Sequence, residues 1–191
     1  KNSPVLTQGC CGEGNLVFNQ PAKASSEETG KNNFAKNAVD GRLDTRWCAN
    51  GAQSGESITL DMEKPQSIRN VRLHWEQKNT AYQYTLESSA DGNDWTMLAD
   101  HAQNKDPNGL CVDAVKTDDA RYLRITFQGS SGGGWGSIWE IEAYPGDLPP
   151  LPEGISAGAE GAASIDDVKA PEGFDVSLFA GPPQVTYPVC I

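Results

Sequence analysis

No stretch of this 191-residue chain approaches the ~20 consecutive apolar residues that cross a bilayer, and the polar opening from Lys1 does not read as a signal peptide. Basic residues are scarce: 15 Lys and Arg stand against 26 Asp and Glu, a formal charge of -11. A field of that sign repels phosphate backbones and anionic lipid, which argues against nucleic acid and membrane surfaces as partners. Only two histidines occur, with no Cys-x-x-Cys pair, so a zinc site of the usual spacing cannot be drawn. The G-x-S-x-G, H-E-x-x-H and phosphate-loop motifs are absent. Acid pairs exist, Asp118-Asp119 and Asp166-Asp167, but adjacent residues on turns or linkers point apart and are not a poised acid and base. No turnover is expected from the chain.

Helical periodicity is missing as well; the alternation that is present has period 2. Ile58, Leu60 and Met62 alternate with Thr59 and Asp61, and Val71, Leu73 and Trp75 with Arg72 and His74. The pattern returns at Tyr82, Tyr84 and Leu86 and at Leu123, Ile125 and Phe127. Such runs read as half-buried strands. Asp40-Gly41, Asn50-Gly51, Asp91-Gly92 and Asn108-Gly109 supply turn signals between them, with Pro65 and Pro107 also in the gaps. Many short antiparallel strands at this spacing imply a sandwich or barrel. Trp47, Trp95, Trp139 and Tyr122 fall inside strand phrases and are expected in the core.

The five cysteines, Cys10, Cys11, Cys48, Cys111 and Cys190, sit in loop-like contexts that suit disulfides in an oxidising compartment. A Cys48 to Cys111 bridge is the first expectation; buried free thiols, or a bridge from Cys10 or Cys11 to Cys190, remain open. Residues 1–14 read as an N-terminal extension and 15–145 as the folded domain. Residues 146–170, with Pro149, Pro150 and Pro152 followed by GISAGAEGAAS, read as a linker. Alternation resumes in the tail 171–191, too short for a core of its own, so the tail either docks on the main domain or opens a further one.

Taken together, NLVFNQPAKASSE, NAVDGRLDTRW, ESITLDMEKPQSIRNVRLHWE, YTLESSADGNDWTML, ARYLRITF and GWGSIWEIEAY resemble, in order and spacing, a discoidin-like (coagulation factor type C) domain. Within that group the chain is most similar in type to the family 32 carbohydrate-binding modules. The resemblance covers roughly Asn15 to Tyr144. It implies an all-β fold, a jelly-roll β-sandwich of the galactose-binding-domain-like type, here with an extended C-terminal tail, and ligand loops at one end. The tail more weakly resembles the first strand of a bacterial sugar-dehydrogenase-type β-propeller. On this reading the chain is a non-catalytic module of a secreted or periplasmic bacterial protein, covalently linked to a downstream domain, that targets an attached enzyme to an oligosaccharide or polysaccharide. A protein-binding adhesion-type discoidin domain is the competing expectation.

Two sites follow from the resemblance. In NAVDGRLDTRW a carboxylate, a glycine turn and a hydroxyl fall close together, as hard cations that take six to eight oxygens require. By position the resemblance assigns a structural Ca²⁺ to the Asp40 side chain, the Thr45 hydroxyl and carbonyl and the Asn37 and Arg42 carbonyls, closed by the Trp139 carbonyl and the Glu140 side chain. For the ligand, sugars stack their C–H faces on an aromatic ring while planar polar groups hold the hydroxyls. Trp135, with three glycines before it and Gly136 after it, is placed to stand clear of the surface as such a platform. His74, Glu76, His101, Asn104 and Lys105 are the expected polar partners. The loop DHAQNKDPNG lacks the arginine that the family often carries there, which counts against a galactose-type specificity.

Overall fold

The computed structural model of the chain describes residues 14–151. The extension up to residue 13, the linker from residue 152, the tail 171–191 and Cys10, Cys11 and Cys190 lie outside the described residues. Seven strands form: β1 (Ala22–Ala24), β2 (Trp47–Cys48), β3 (Ser57–Trp75), β4 (Tyr82–Ser89), β5 (Thr96–Asp100), β6 (Leu110–Ser130) and β7 (Ser137–Tyr144). Helix among the described residues is confined to two 3-10 segments, Thr29–Lys31 and Ala35–Val39. None is long and apolar enough to cross a membrane.

Every pairing between strands is antiparallel. The sequence separates the Ile58 and Val71 phrases by a gap at Pro65, but the structure joins them in one 19-residue β3. The register with β6 slips three times between Asp61 and Asn70, and Glu63 adopts φ 63° while its N–H is held by Asp61 Oδ1 at 2.8 Å. Pro65, which has no N–H to donate, is tolerated in this bulged stretch. The acid pair Asp118-Asp119 likewise lies within β6 and not on a turn. Through these irregular middles β3 and β6 pass from one layer to the other. Residues 57–61 of β3 and 122–126 of β6 pair in a layer with β1, β4 and β5. Residues 70–75 of β3 and 110–114 of β6 pair in a second layer with β7, which carries β2. The result is the jelly-roll β-sandwich.

Because both long strands double back, each starts and finishes at the same end. Backbone hydrogen bonds tie the connections together there: Ala49 N–H to the Gly136 carbonyl (2.8 Å), Gly55 N–H to Phe127 (2.7 Å), Glu76 N–H to Ser137 (3.0 Å), Gly109 N–H to Lys78 (2.9 Å) and Ser131 N–H to Ala81 (2.9 Å). Loops 49–56, 76–81, 101–109 and 131–136 therefore form one face.

The core lies between the layers. Ile58, Leu60, Leu123, Ile125, Val71, Leu73 and Ile141 are all fully buried. Each large apolar side chain so buried contributes roughly 1.5–3 kcal/mol. Trp75 stacks on Tyr82 at 4.3 Å, with Tyr84 and Phe127 also against it. Trp47 is buried as expected, but Trp95, Trp139 and Tyr122 are only half-buried. Strand parity explains Tyr122, since its neighbour Leu123 points inward; Trp95 precedes β5, and Trp139 is passed over at a bulge where β7 meets His74 and Trp75.

The Cys48 to Cys111 bridge is not formed, and both residues are free thiols. In the strand order β2-β7-β3-β6 two strands lie between them. Three strand spacings amount to about 14 Å, against the ~7 Å between Cα atoms that a disulfide can span.

Candidate functional site

Trp135 lies on the loop between β6 and β7 at the common end and is 40% exposed. Its neighbours set this position. Gly133 takes φ 67°, the N–H of Gly134 is held by Ser130 Oγ at 2.9 Å, and a Cβ at Gly136 would come within 3.0 Å of the buried Phe127 ring. The loop thus passes tightly over Phe127 at Gly136, next to Trp135. Met97 and Val112, the other exposed large apolar side chains among the described residues, lie on β5 and β6.

Glu76 follows β3 directly, its N–H bonded to the Ser137 carbonyl, which brings it beside the Trp135 loop. Its carboxylate pairs with Arg46 at 3.1 Å. The Arg46 guanidinium lies 5.0 Å from the centre of the Trp139 ring, and Trp139 Nε1 donates to the Glu76 carbonyl at 3.3 Å. Glu28 and Asn33 border the same patch: Glu28 N–H reaches the Cys48 carbonyl and Cys48 N–H the Asn33 carbonyl. The Glu28 carboxyl is held below its usual value by hydrogen bonds from Lys31 and Asn33. Arg46 and the exposed part of Trp139 were not expected as partners for Glu76; Arg46 follows the turn phrase, and Trp139 reads as one more core aromatic. Gln77, whose side chain lies beside Gly132 and Gly134, completes the floor.

The remaining expected partners are dispersed. His74 is 6% exposed and sits on the outer face of the β3–β7 pair, with Nε2 2.7 Å from Glu142 Oε1. Arg72 donates twice to Glu142, at 2.9 and 2.8 Å, and the Tyr144 hydroxyl donates at 2.6 Å. Burial opposes ionisation of Glu142, but these hydrogen bonds outweigh it and hold the carboxyl below its ordinary value. His74 thus belongs to a buried ionic cluster away from the loop face. His101 Nε2 lies 2.6 Å from Asp113 Oδ1, and its ring packs against Tyr84 at 4.7 Å. Asn104 is spent on the backbone: Nδ2 donates to the Tyr82 carbonyl at 3.0 Å and Oδ1 accepts from Asp106 N–H at 3.0 Å. Lys105 is exposed on the same loop. Glu76 is tied by its backbone to the segment that follows Trp135; Asn104 orders a neighbouring loop, and His74 stands apart.

Of the expected cation ligands, the Asp40, Thr45 and Glu140 side chains lie around one turn. Asp40 Oδ1 accepts from Arg42 N–H at 3.0 Å and Oδ2 from the Thr45 hydroxyl at 2.8 Å. Glu140, fully buried, accepts Gly41 N–H at 3.1 Å through Oε2 and has no partner for Oε1. Burial raises the Asp40 carboxyl, and burial together with the Asp40 charge pushes Glu140 up to about 10. Asn37 anchors the turn through Nδ2 to the carbonyls of Asn32 (2.8 Å) and Arg46 (3.1 Å), and Arg42 pairs with Asp44 at 2.7 Å. A buried carboxylate with an orphaned oxygen, near the half-buried Asp40 carboxylate, suits a hard cation, which would neutralise both. Among the described residues no three His, Cys, Asp or Glu side chains converge, so the other oxygens would come from Thr45 and backbone carbonyls.

A family model described as the F5/8 type C domain matches residues 21–141. Among solved structures, chitosan-binding module 1 of a chitosanase/glucanase from Paenibacillus sp. IK-5 is 29% identical, with TM-score 0.61, covering 68% of this chain and 98% of that one. Chitosan-binding module 2 of the same enzyme, solved with chitotriose, is 27% identical with TM-score 0.61, covering 68% and 99%. The family 32 module of AlyQ, in complex with 4,5-unsaturated mannuronic acid, is 27% identical with TM-score 0.56, covering 66% and 96%. No curated protein matches the chain. With the family model spanning well over half of the sequence and the sandwich folded as it requires, the chain belongs to the F5/8 type C domain family.

Proposed function

We propose that the chain is a non-catalytic carbohydrate-binding module that holds a sugar residue at the loop face, with Trp135 as stacking platform and Glu76 and Arg46 as hydrogen-bonding arms. One observation carries the assignment: an exposed indole on a glycine loop whose continuation at Ser137 accepts the Glu76 N–H, Glu76 being paired with Arg46. The face of the ring binds the apolar side of a pyranose, while Glu76 accepts from and Arg46 donates to its hydroxyls. The sugars in the structures of its relatives support the reading. Affinity for one such subsite is expected at a Kd on the order of 10 μM to 1 mM, because a single stacked ring leaves little surplus over the costs of binding.

A structural Ca²⁺ between Asp40 and Glu140 would link the turn after the second 3-10 segment to β7, close to Arg46 and Trp139 in sequence. It would supply charge neutralisation and play no part in any chemistry. The module is further proposed to be secreted or periplasmic and joined to a downstream domain, which it would bring to a polysaccharide.

Retention on immobilised polysaccharides, read beside a glycan-array screen, tests the assignment. Trp135→Ala should abolish retention and leave the melting temperature within about 1 °C, since an exposed ring contributes little to stability. Retention equal to that of the unaltered chain would reject the platform.

A further inference from the structure

The outer face of the other layer carries a groove of about 560 Å³, lined by β1, the start of β3, the end of β6 and the loop before β5. Register fixes its floor. Lys23 lies opposite Thr59, Thr59 opposite Arg124, and Arg124 opposite Glu87, so these four form one outward row across four strands. The next row sets Asp61 beside Tyr122. The β4–β5 hairpin supplies the far wall: Gly92 lies over the Tyr122 ring, and Trp95 covers the Arg124 guanidinium, whose centre is 3.8 Å from the indole. Trp95 and Tyr122, both expected in the core, therefore line an open groove.

The charges of the groove are unevenly spent. Asp61 is neutralised by two hydrogen bonds of 2.8 Å from Arg121. Arg124 gives Nε to Glu87 at 2.9 Å, and both its terminal nitrogens have no partner among the described residues. Lys23 is exposed and likewise has no carboxylate partner among them. Lys23, unpaired among the described residues, and Arg124, whose charge Glu87 meets through Nε alone, thus flank Thr59 on either side, beside two aromatic rings, of which Tyr122 also carries the Arg121 guanidinium 4.9 Å from its centre. Free donors over a hydroxyl complement a carboxylate, and the rings complement the C–H face of a sugar.

We infer that this groove is a second saccharide subsite, selective for a carboxylate-bearing pyranose, a uronic acid unit, with the ring against Tyr122 and Trp95 and the carboxylate between Lys23 and Arg124. The inference rests on the reading of the chain as a carbohydrate-binding module but not on Trp135.

Tetragalacturonate, with cellotetraose as neutral control, is titrated into the full chain labelled with ¹⁵N. Shifts are expected at the amides of residues 22–25, 59, 122 and 124 and at the Trp95 indole N–H with the acidic sugar only, weakening as salt rises. Lys23→Ala, a change on an exposed side chain, should lower the affinity for tetragalacturonate about tenfold, and Trp95→Ala should do so too with the remaining spectrum intact. Trp135→Ala should leave groove binding unchanged. Absence of groove shifts, equal affinity of the Lys23→Ala variant, or equal response to cellotetraose would each overturn the subsite. Loss of neutral-glycan retention in Trp135→Ala would at the same time leave the loop-face assignment standing, so the two readings fail separately.

Discussion

Glu142 offers the sharpest test of the frame that carries the loop face. Its carboxylate is fully buried and accepts four hydrogen bonds, two from Arg72, one from His74 and one from Tyr144. A carboxylate can only accept, so His74 presents Nε2–H to it. In Glu142→Gln one acceptor oxygen becomes an NH₂ group that faces N–H donors, and the Arg72 charge, 3% exposed, is left without its counter-ion. Removing one member of a buried pair costs about 3–5 kcal/mol. In a domain of this size that corresponds to a fall in Tm of about 10–20 °C. Calorimetry at pH 7 reads it directly. A double replacement, Arg72→Met with Glu142→Met, should recover most of the loss, because the uncompensated charge is gone. A single variant melting within about 1 kcal/mol of the unaltered chain, or a double variant no better than the single, would refute the claim that the charge pairing holds this face together.

Three other outcomes are expected. Excess EDTA should lower the Tm and Ca²⁺ restore it, since a ligand at a hundred times its Kd adds about 2.7 kcal/mol; identical melts would count against a cation at Asp40 and Glu140. Asp91, whose carboxylate accepts the N–H groups of Asn93 and Asp94, is held down to about 2 by those bonds. Its contribution to the β4–β5 hairpin is thus complete above the unfolded value of 3.8 and lost as pH falls through about 2. An acid titration of the Asn93 and Asp94 amides should show their shifts moving near pH 2 and not near 4. Cys48 and Cys111 should both be alkylated in the denatured, unreduced chain; a crosslinked peptide pair joining them would contradict the strand order.

The alternation of small runs revealed β4, the ends of β3 and β6, and the inward residues Ile58, Leu60, Leu123 and Ile125, because one face of each is buried and the other is not. The same logic fails where both faces are covered. Val71 to Trp75 are buried without exception, so Arg72 and His74, which alternate as if facing solvent, are enclosed with Glu142. The Pro149 carbonyl, accepting from Arg72 at 3.1 Å, and the Asn15 side chain, bonded to Ala143 N–H at 3.0 Å, come from distant parts of the chain to cover this face. Trp135 was legible because glycines on both sides leave a ring nowhere to pack. Arg46 and Trp139 were not, because their relation to Glu76 exists only once β2, β3 and β7 meet. The bend within β3 was hidden for a similar reason: Pro65 signals a break in hydrogen bonding, which a bulge satisfies as well as a turn does.

The doubling back of β3 and β6 also bears on how the chain reaches this state. Their ladder joins residues as remote in sequence as Ser57 and Thr126, and it must form in both layers before either sheet is complete. Loop-closure entropy is incurred before those contacts repay it, so refolding should run on the millisecond-to-second scale of sandwich topologies, with the nascent edge of β3 open to other chains until β6 has been made.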